Sequence, residues 1–187
     1  MLALADSYLD KYTPSTREHV GDATRLTAPK VVTKPYPLNA GDDPEGKAFY
    51  MRGWVMDHRC MREISAMEII QDALFNAEAA PVKRALMQSG LCGNAQAYGD
   101  PGIKYPTCYL MLSDVKADGF DKLSGIIDSA IKDIAENGLD KKLLEACLNR
   151  YEFGRREEPA YYPKGIELCI NAASGYIHDG DPLSMIR

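Results

Sequence analysis

The stretch that organises this chain is residues 139–183, LDKKLLEACLNRYEFGRREEPAYYPKGIELCINAASGYIHDGDPL, which reads as a helix, a polar break and a second helix. Asp140 is placed to cap the first helix, because its carboxylate can accept from backbone N–H groups that have no partner within the helix. Leu139 and Leu144 have the spacing of a hydrophobic staple around that cap. One apolar helical face follows: Leu144, Cys147, Leu148 and Tyr151.

The second helix of this stretch lies between two proline-containing breaks. Pro159 and Pro163 end the first helix, and Pro182 ends the second, since proline disfavours a helical residue before it. The predicted apolar face of the second helix is Ile166, Ile170, Ala173 and Ile177. In the first helix, Glu152 precedes Arg156 by four residues, a spacing that gives a helix weak support.

Upstream, residues 46–57 alternate with period two and predict a strand. Phe49, Met51 and Val55 share one face, and the aromatic Tyr50 and Trp54 lie on the other. One face should pack on helices while the other stays partly open. Two interpretations remain: Tyr50 and Trp54 cover a sheet edge, or the open face lines a chamber that holds peptides.

Strand and helix patterns alternate along the rest of the chain. Residues 95–98 and 105–113 predict paired strands around the turn Asp100-Pro101-Gly102. Three amphipathic helices are predicted at residues 60–74, at 82–89 with Pro81 before it and Gly90 after it, and from Asp118, as a cap, to Asn137. Apolar positions of the first include Ile64, Ile70 and Leu74; those of the last are Leu123, Ile126, Ile127, Ala130, Ile131 and Ile134.

The first part of the chain reads as a connector. Leu2, Ala5, Tyr8 and Leu9 predict a short helix, and residues 13–46 have the composition of turns and linker, with a possible edge strand at residues 30–33. We therefore divide the chain into a connecting helix and linker, 1–28, and a domain, 29–187, with a C-terminal helical extension. The order β-β-α-α, read twice, predicts an α+β fold with a mainly antiparallel sheet and helices packed on one face.

Composition limits the function classes. The chain has 187 residues, 45% hydrophobic and 26% charged, with a formal net charge of −5, which is ordinary for a globular protein and argues against a nucleic-acid partner. The sequence contains no apolar run long enough to cross a bilayer, so we expect no membrane partner. Five cysteines without a C-x-x-C pair predict a reducing compartment, the cytoplasm or an organelle matrix.

The same C-terminal motifs resemble those of a known family. Residues 152–157 (EFGRRE), 163–166 (PKGI) and 180–183 (GDPL) are similar to a run in the insulinase-like (pitrilysin-type) zinc metallopeptidases, in the presequence-protease subfamily. Residues 80–91 resemble that family's second helix, with Val82 where leucine is more usual. Tyr176 stands where a tryptophan often precedes the GDPL run.

This resemblance implies an insulinase-like metallopeptidase domain, the non-catalytic second domain of the first half of a longer peptidase that cleaves short unstructured peptides. Zinc is expected in the full-length parent and none in this chain, because zinc enzymes of this family use an H-x-x-E-H helix that His19, His58 and His178 do not form. We therefore assign no catalytic, cofactor-binding or metal residue, and we expect the chain alone to be inactive.

The implied partners are the remaining domains of the same polypeptide and, in the full enzyme, a peptide substrate; self-association of the isolated chain is possible. Weaker site candidates are His58 with Cys60, His178 with Asp179 and Asp181, and Tyr161 with Tyr162, for which surface, helix-end and packing roles are simpler. Two other functions stay open: a free-standing scaffold or peptide-binding module of this fold, and a small-molecule-binding regulatory domain.

Overall fold

The computed structural model describes residues 2–13, 21–24, 26–56, 60–157, 163–178 and 181–183, and the chain divides into two units, Met1–Val31 and Val32–Arg187. The predicted boundary between residues 28 and 29 stays a prediction. In the first unit, the apolar spacing gives the expected short helix, α1 (Leu2–Leu9). Leu2, Leu9 and Tyr12 are 84%, 64% and 76% exposed, so the apolar side of this unit faces solvent.

The second unit is built on a three-stranded antiparallel sheet. Its strands are β1 (Ala48–Val55), β2 (Asn94–Asp100) and β3 (Thr107–Val115), in the order β1-β3-β2. Strands β2 and β3 form the predicted hairpin, in which the Asp100 carboxylate accepts from the Gly102 N–H at 3.1 Å. The fold is therefore α+β with an antiparallel sheet, as the sequence predicts.

The predicted edge strand at residues 30–33 is wrong, because that segment forms no strand. Pro29 and Pro35 flank it and donate no hydrogen bond, which leaves little backbone for a ladder. The doubled β-β-α-α order is therefore also wrong for the described residues, where β1 has no preceding strand. Its neighbour β3 comes from later in the chain.

Helices cover one face of the sheet. The core joins α3 (Pro81–Gln88) and α4 (Phe120–Asn137) to side chains that point from the strands to the same side. All six predicted apolar positions of α4 lie in or against this core, as expected from their helical spacing. Gly90 and Gly138 follow the two helices with φ of 65° and 81°, the predicted glycine endings.

Two helix predictions need correction. The helix from residue 60 is α2 (Met61–Gln71), and it continues into a π-helical turn, Asp72–Asn76. Ile70, which belongs to the predicted apolar stripe, is 45% exposed. Asp118 does not cap α4, because a 3₁₀ turn at Ala117–Gly119 comes first and Gly119 takes the cap position without a side-chain bond.

The organising stretch forms α5 (Lys141–Arg156) and α6 (Lys164–Ile177). The Asp140 carboxylate accepts from the Leu143 N–H at 2.9 Å, which confirms the predicted cap. The staple differs from the prediction: Leu139 and Leu143 pack against the cluster of Ala73, Ala77, Ala80 and Cys147, while Leu144 is 37% exposed.

The predicted apolar faces of these two helices are only partly covered. On α5, Cys147 is 2% exposed but Leu148 is 48% exposed, and Phe153 is 62% exposed. On α6, Ile166, Ile170 and Ile177 are 49%, 57% and 47% exposed. Within the described ranges, no helix has both the length and the apolar content to cross a membrane.

Candidate functional site

The face of the sheet opposite the helices is the main candidate surface. We call it the open face; its members are Phe49, Met51, Gly53, Val55, Gln96, Tyr98, Tyr109 and Met111. Successive strand residues point to opposite faces, so the inward positions of β1 are half-buried while Phe49, Met51 and Val55 are 57%, 62% and 63% exposed. The structure places Tyr50 and Trp54 against the core rather than at a sheet edge, and the exposed side of β1 is the aliphatic one. That this face lines a chamber stays a prediction.

The strand register arranges the open face in rows. Met51 pairs with Met111, which pairs with Gln96, and Gly53 pairs with Tyr109, which pairs with Tyr98. The two tyrosine rings stack, with centroids 5.5 Å apart and planes at 25°. Gly53 has no side chain, so the Tyr109 ring is flanked by Tyr98 on one side and by exposed backbone on the other.

Arg52 fixes β1 to the helical layer from the opposite side. Its guanidinium lies 2.7 Å from an Asp128 carboxylate oxygen on α4 and 5.5 Å from the centre of the Trp54 ring. The hydrogen bond with Asp128 raises the pKa of Arg52, and burial partly opposes that effect. The sheet that carries the open face is therefore attached to α4 on its opposite side.

The outer edge of β2 is closed by a side chain. The Asn76 amide donates to the Ala97 carbonyl oxygen at 3.0 Å, and its oxygen accepts from the Ala97 N–H at 2.8 Å. This pair of bonds imitates a neighbouring strand. The sequence does not predict this role of Asn76, because no spacing signal distinguishes this asparagine from a turn residue.

Near the π turn, the Arg150 guanidinium on α5 donates a hydrogen bond to the Asp72 carboxylate and forms an ion pair with it. Arg150 also lies 3.9 Å from the sulfur of Cys147. Burial is the main cause of the raised pKa of the Cys147 thiol, and Asp72 adds to it. A raised pKa disfavours the thiolate that nucleophilic catalysis requires, so this cluster fits a structural role.

Of the other weak candidates, only Cys60, His178 and Asp181 lie within the described residues. His58, Tyr161, Tyr162 and Asp179 lie outside the described residues, and Cys60 is half-buried at the start of α2. His178 ends α6, and its Nδ1 is buried without a hydrogen-bond partner in the described part of the chain. The Asp181 carboxylate accepts from the Leu183 N–H at 2.9 Å, so it is used in a local turn.

The described donors do not fit a zinc ion. Catalytic zinc takes three protein ligands, and no three His, Cys, Asp or Glu side chains gather closely enough within the described ranges. Burial raises the pKa of the Cys92 thiol and raises that of Cys108 to about 11.

The sequence is similar to several longer proteins. It is 27% identical over 149 residues to Protein HypA of Clostridium perfringens, covering 79% of this chain and 15% of that protein. It is 23% identical over 199 residues to presequence protease 1, chloroplastic/mitochondrial, of Arabidopsis thaliana, covering 100% of this chain and 18% of that protein. The mitochondrial presequence protease of Xenopus tropicalis is 22% identical over 129 residues, covering 67% of this chain and 12% of that protein.

Among solved structures, an M16-like peptidase from Alicyclobacillus acidocaldarius aligns with a TM-score of 0.45 and 21% identity, covering 57% of this chain and 26% of that chain. No protein-family model matches the chain. The chain spans less than a fifth of the length of the curated relatives described above. The resemblance predicted from its C-terminal motifs is confirmed to this extent: the chain is similar, at low identity, to presequence proteases.

Proposed function

We propose that this chain is a non-catalytic structural domain of a larger presequence-protease-like zinc peptidase that degrades short unstructured peptides. The observation that carries the proposal is the alignment of the whole chain with 18% of a presequence protease. A segment of that size corresponds to one domain of a much larger enzyme. The metal and the catalytic residues would belong to other parts of the polypeptide.

The surface of the chain supports this role. Apolar side chains that are about half exposed occur on α5 and α6, at Leu148, Ile166 and Ile170, and a large exposed apolar patch usually marks a partner surface. We assign these helices to contacts with the remaining domains of the same polypeptide. The open face, on the other side of the sheet from the core, would form part of the wall around the peptide.

A zinc peptidase needs three protein ligands for the metal and a group that handles the proton of the metal-bound water. We assign these groups to other parts of the polypeptide. The reducing compartment inferred from the cysteines is the cytoplasm or an organelle matrix. All five cysteines are free in the structure, which is compatible with either.

The test is to purify the 187-residue chain, measure its metal content, and assay unstructured peptides with and without added zinc. We expect trace metal and no cleavage that a chelator inhibits. Stoichiometric zinc with chelator-sensitive cleavage would overturn the proposal, and alanine substitution of His58 and Cys60 would then locate the site.

The genomic flanks separate the proposal from a free-standing module. An H-x-x-E-H motif upstream in the same reading frame supports a domain of a larger peptidase. A stop codon and a promoter at that position support a free-standing scaffold instead, and would overturn the structural-domain assignment.

A further inference from the structure

The exposed side of β1 has a gap at Gly53. This glycine is exposed, and its row across the sheet continues through Tyr109 to Tyr98. Met51 and Val55, two residues away on either side, are 62% and 63% exposed on the same face. We call this gap the Gly53 notch: its floor is the Gly53 backbone, its wall is Tyr109, and its two ends are Met51 and Val55.

The backbone does not require a glycine at this position. Gly53 pairs with β3 in strand conformation, which any residue adopts, and the register shift of β1 lies elsewhere, between Ala48 and Tyr50. Around the point where a Cβ would sit, the described atoms within 4 Å are the Tyr109 Cβ at 3.8 Å and the Cys108 carbonyl oxygen at 3.9 Å, both ordinary contact distances. A glycine inside a strand weakens it and often marks a place where a ligand approaches closely.

The wall of the notch is the face of an aromatic ring. Tyr109 stacks on Tyr98 with ring centroids 5.5 Å apart and planes at 25°, so its other face is turned toward the space above Gly53. Neighbouring strands lie about 4.8 Å apart, and stacked rings have centroids about 4.5 to 7 Å apart. A ring placed above Gly53 would therefore lie at stacking distance from Tyr109. Met51 adds a thioether, which makes favourable contacts with aromatic rings.

The charge of the notch favours a neutral occupant. The residues that form it are uncharged, and Arg52 lies on the other side of the sheet with Asp128. Asp100, two residues after Tyr98, belongs to β2, the far strand of the sheet. A guanidinium can also stack on a tyrosine, but in the notch it would lose water without gaining a carboxylate from these residues. An aromatic ring needs no counter-ion, so charge complementarity selects it.

We propose that the Gly53 notch binds one aromatic side chain of a peptide, which stacks on Tyr109 as a third ring in the row that begins with Tyr98. This rests on the proposed function in taking a peptide as the occupant. It adds to that function a preference for phenylalanine, tyrosine or tryptophan at one peptide position. Gly53 sets the preference, because any side chain at this position would fill the space that the ring occupies.

The probes are three ten-residue peptides of serine and threonine that differ in one central residue, which is phenylalanine, leucine or arginine. Each is titrated into the 187-residue chain, and NMR follows the Gly53 amide and the methyl groups of Met51 and Val55. We expect saturable shifts of these signals, with the phenylalanine peptide binding about two- to tenfold more tightly than the leucine peptide because of stacking. The arginine peptide should bind no more tightly than the leucine peptide.

Three protein variants locate the site. Gly53→Val fills the notch and should abolish the preference for phenylalanine, while folding at least as stably as the parent, because a β-branched residue suits a strand. Tyr109→Leu keeps an apolar wall but removes the ring, and should also abolish the preference. Gln96→Val, on the same face but in β2, is the matched control and should retain it. Circular dichroism and urea unfolding establish that each variant folds.

Several results would overturn the proposal. These are equal affinity for the phenylalanine and leucine peptides, tighter binding of the arginine peptide, no saturable shift, or a preference that survives in Gly53→Val. A second copy of the chain is the competing occupant: shifts of the Gly53 signal that depend on protein concentration and no peptide binding would assign the notch to self-association instead. None of these outcomes bears on the metal assay or the genomic flanks, which test the domain assignment separately.

Discussion

The carboxamide of Asn76 and the backbone of Ala97, 21 residues apart in the chain, form two hydrogen bonds that close one edge of the sheet. Ala97 is only 3% exposed, so water cannot readily replace a lost partner. The pairing also fixes the π turn against β2, because Asn76 is the last residue of that turn.

Asn76→Ala is therefore expected to destabilise the protein by about 1 to 3 kcal/mol, the cost of leaving buried backbone groups without partners. Urea unfolding followed by circular dichroism measures the change. The matched control is Asn149→Ala on the exposed side of α5, which should change the free energy of unfolding little. Equal effects of the two substitutions would contradict the structural role of Asn76.

The two aspartates near helix starts provide a second test. Asp140 makes a cap bond to the Leu143 N–H, and Asp118 makes none to α4. Asp140→Ala should cost about 1 kcal/mol of unfolding free energy, the usual value for a lost cap, and Asp118→Ala should cost less. Thermal or urea unfolding of both variants gives the comparison, and the reverse order would show that the 3₁₀ turn depends on Asp118.

These aspartates also show what the sequence can predict. Both precede an apolar helical pattern, and the same reasoning predicts both as caps. Whether Asp118 caps α4 depends on the 3₁₀ turn that connects β3 to α4. A turn of three residues has no periodic signal in the sequence. The long helix α4 was predictable because 18 residues repeat one spacing.

The open face, too, was predicted only in part from the sequence. The alternation in β1 predicted that Phe49, Met51 and Val55 share a face, and the structure confirms it. The sequence did not determine which face would be open, because Tyr50 and Trp54 could equally have covered an edge. Which face of β1 is buried depends on the stacking of Trp54 on Phe75 and of Tyr50 on Phe120, with ring centroids 5.8 and 6.3 Å apart. Both contacts join residues that are far apart in the chain.

The two faces of the sheet should respond differently to truncation. Leu110→Ala removes a side chain that is 0% exposed and should cost about 2 to 5 kcal/mol of unfolding free energy. Met51→Ala removes one that is 62% exposed and should stay within about 0.5 kcal/mol. Urea unfolding measures both. A large loss from Met51→Ala would mean that the open face is packed in solution.

The cysteines should react with alkylating reagents in an order set by burial. Cys169 is exposed, whereas Cys108 is 6% exposed and burial raises its thiol pKa to about 11. The thiolate is the reactive form, so at pH 8 Cys108 should be alkylated far more slowly than Cys169. Peptide mapping by mass spectrometry after short iodoacetamide treatment measures this, with the urea-unfolded protein as the control. Rapid labelling of Cys108 in the folded protein would contradict its burial.

Glu68 should make stability depend on pH. Burial raises the pKa of Glu68, although the positive charge of Arg155 partly lowers it. A raised pKa means that the folded state holds the proton more tightly than the unfolded state. The ionised carboxylate therefore reduces stability at neutral pH, and the reduction disappears as pH falls toward the ordinary value of 4.5.

Glu68→Gln, which removes the charge at nearly constant shape, should accordingly be more stable than the parent at pH 7, with the difference shrinking as pH falls to 4.5. Other carboxylates titrate in both proteins, so the difference in unfolding free energy isolates Glu68. Glu78→Gln, at an exposed position, is the control for removing one negative charge. If Glu68→Gln is instead less stable at pH 7, attraction to Arg155 outweighs burial, and folding lowers the pKa of Glu68 instead of raising it.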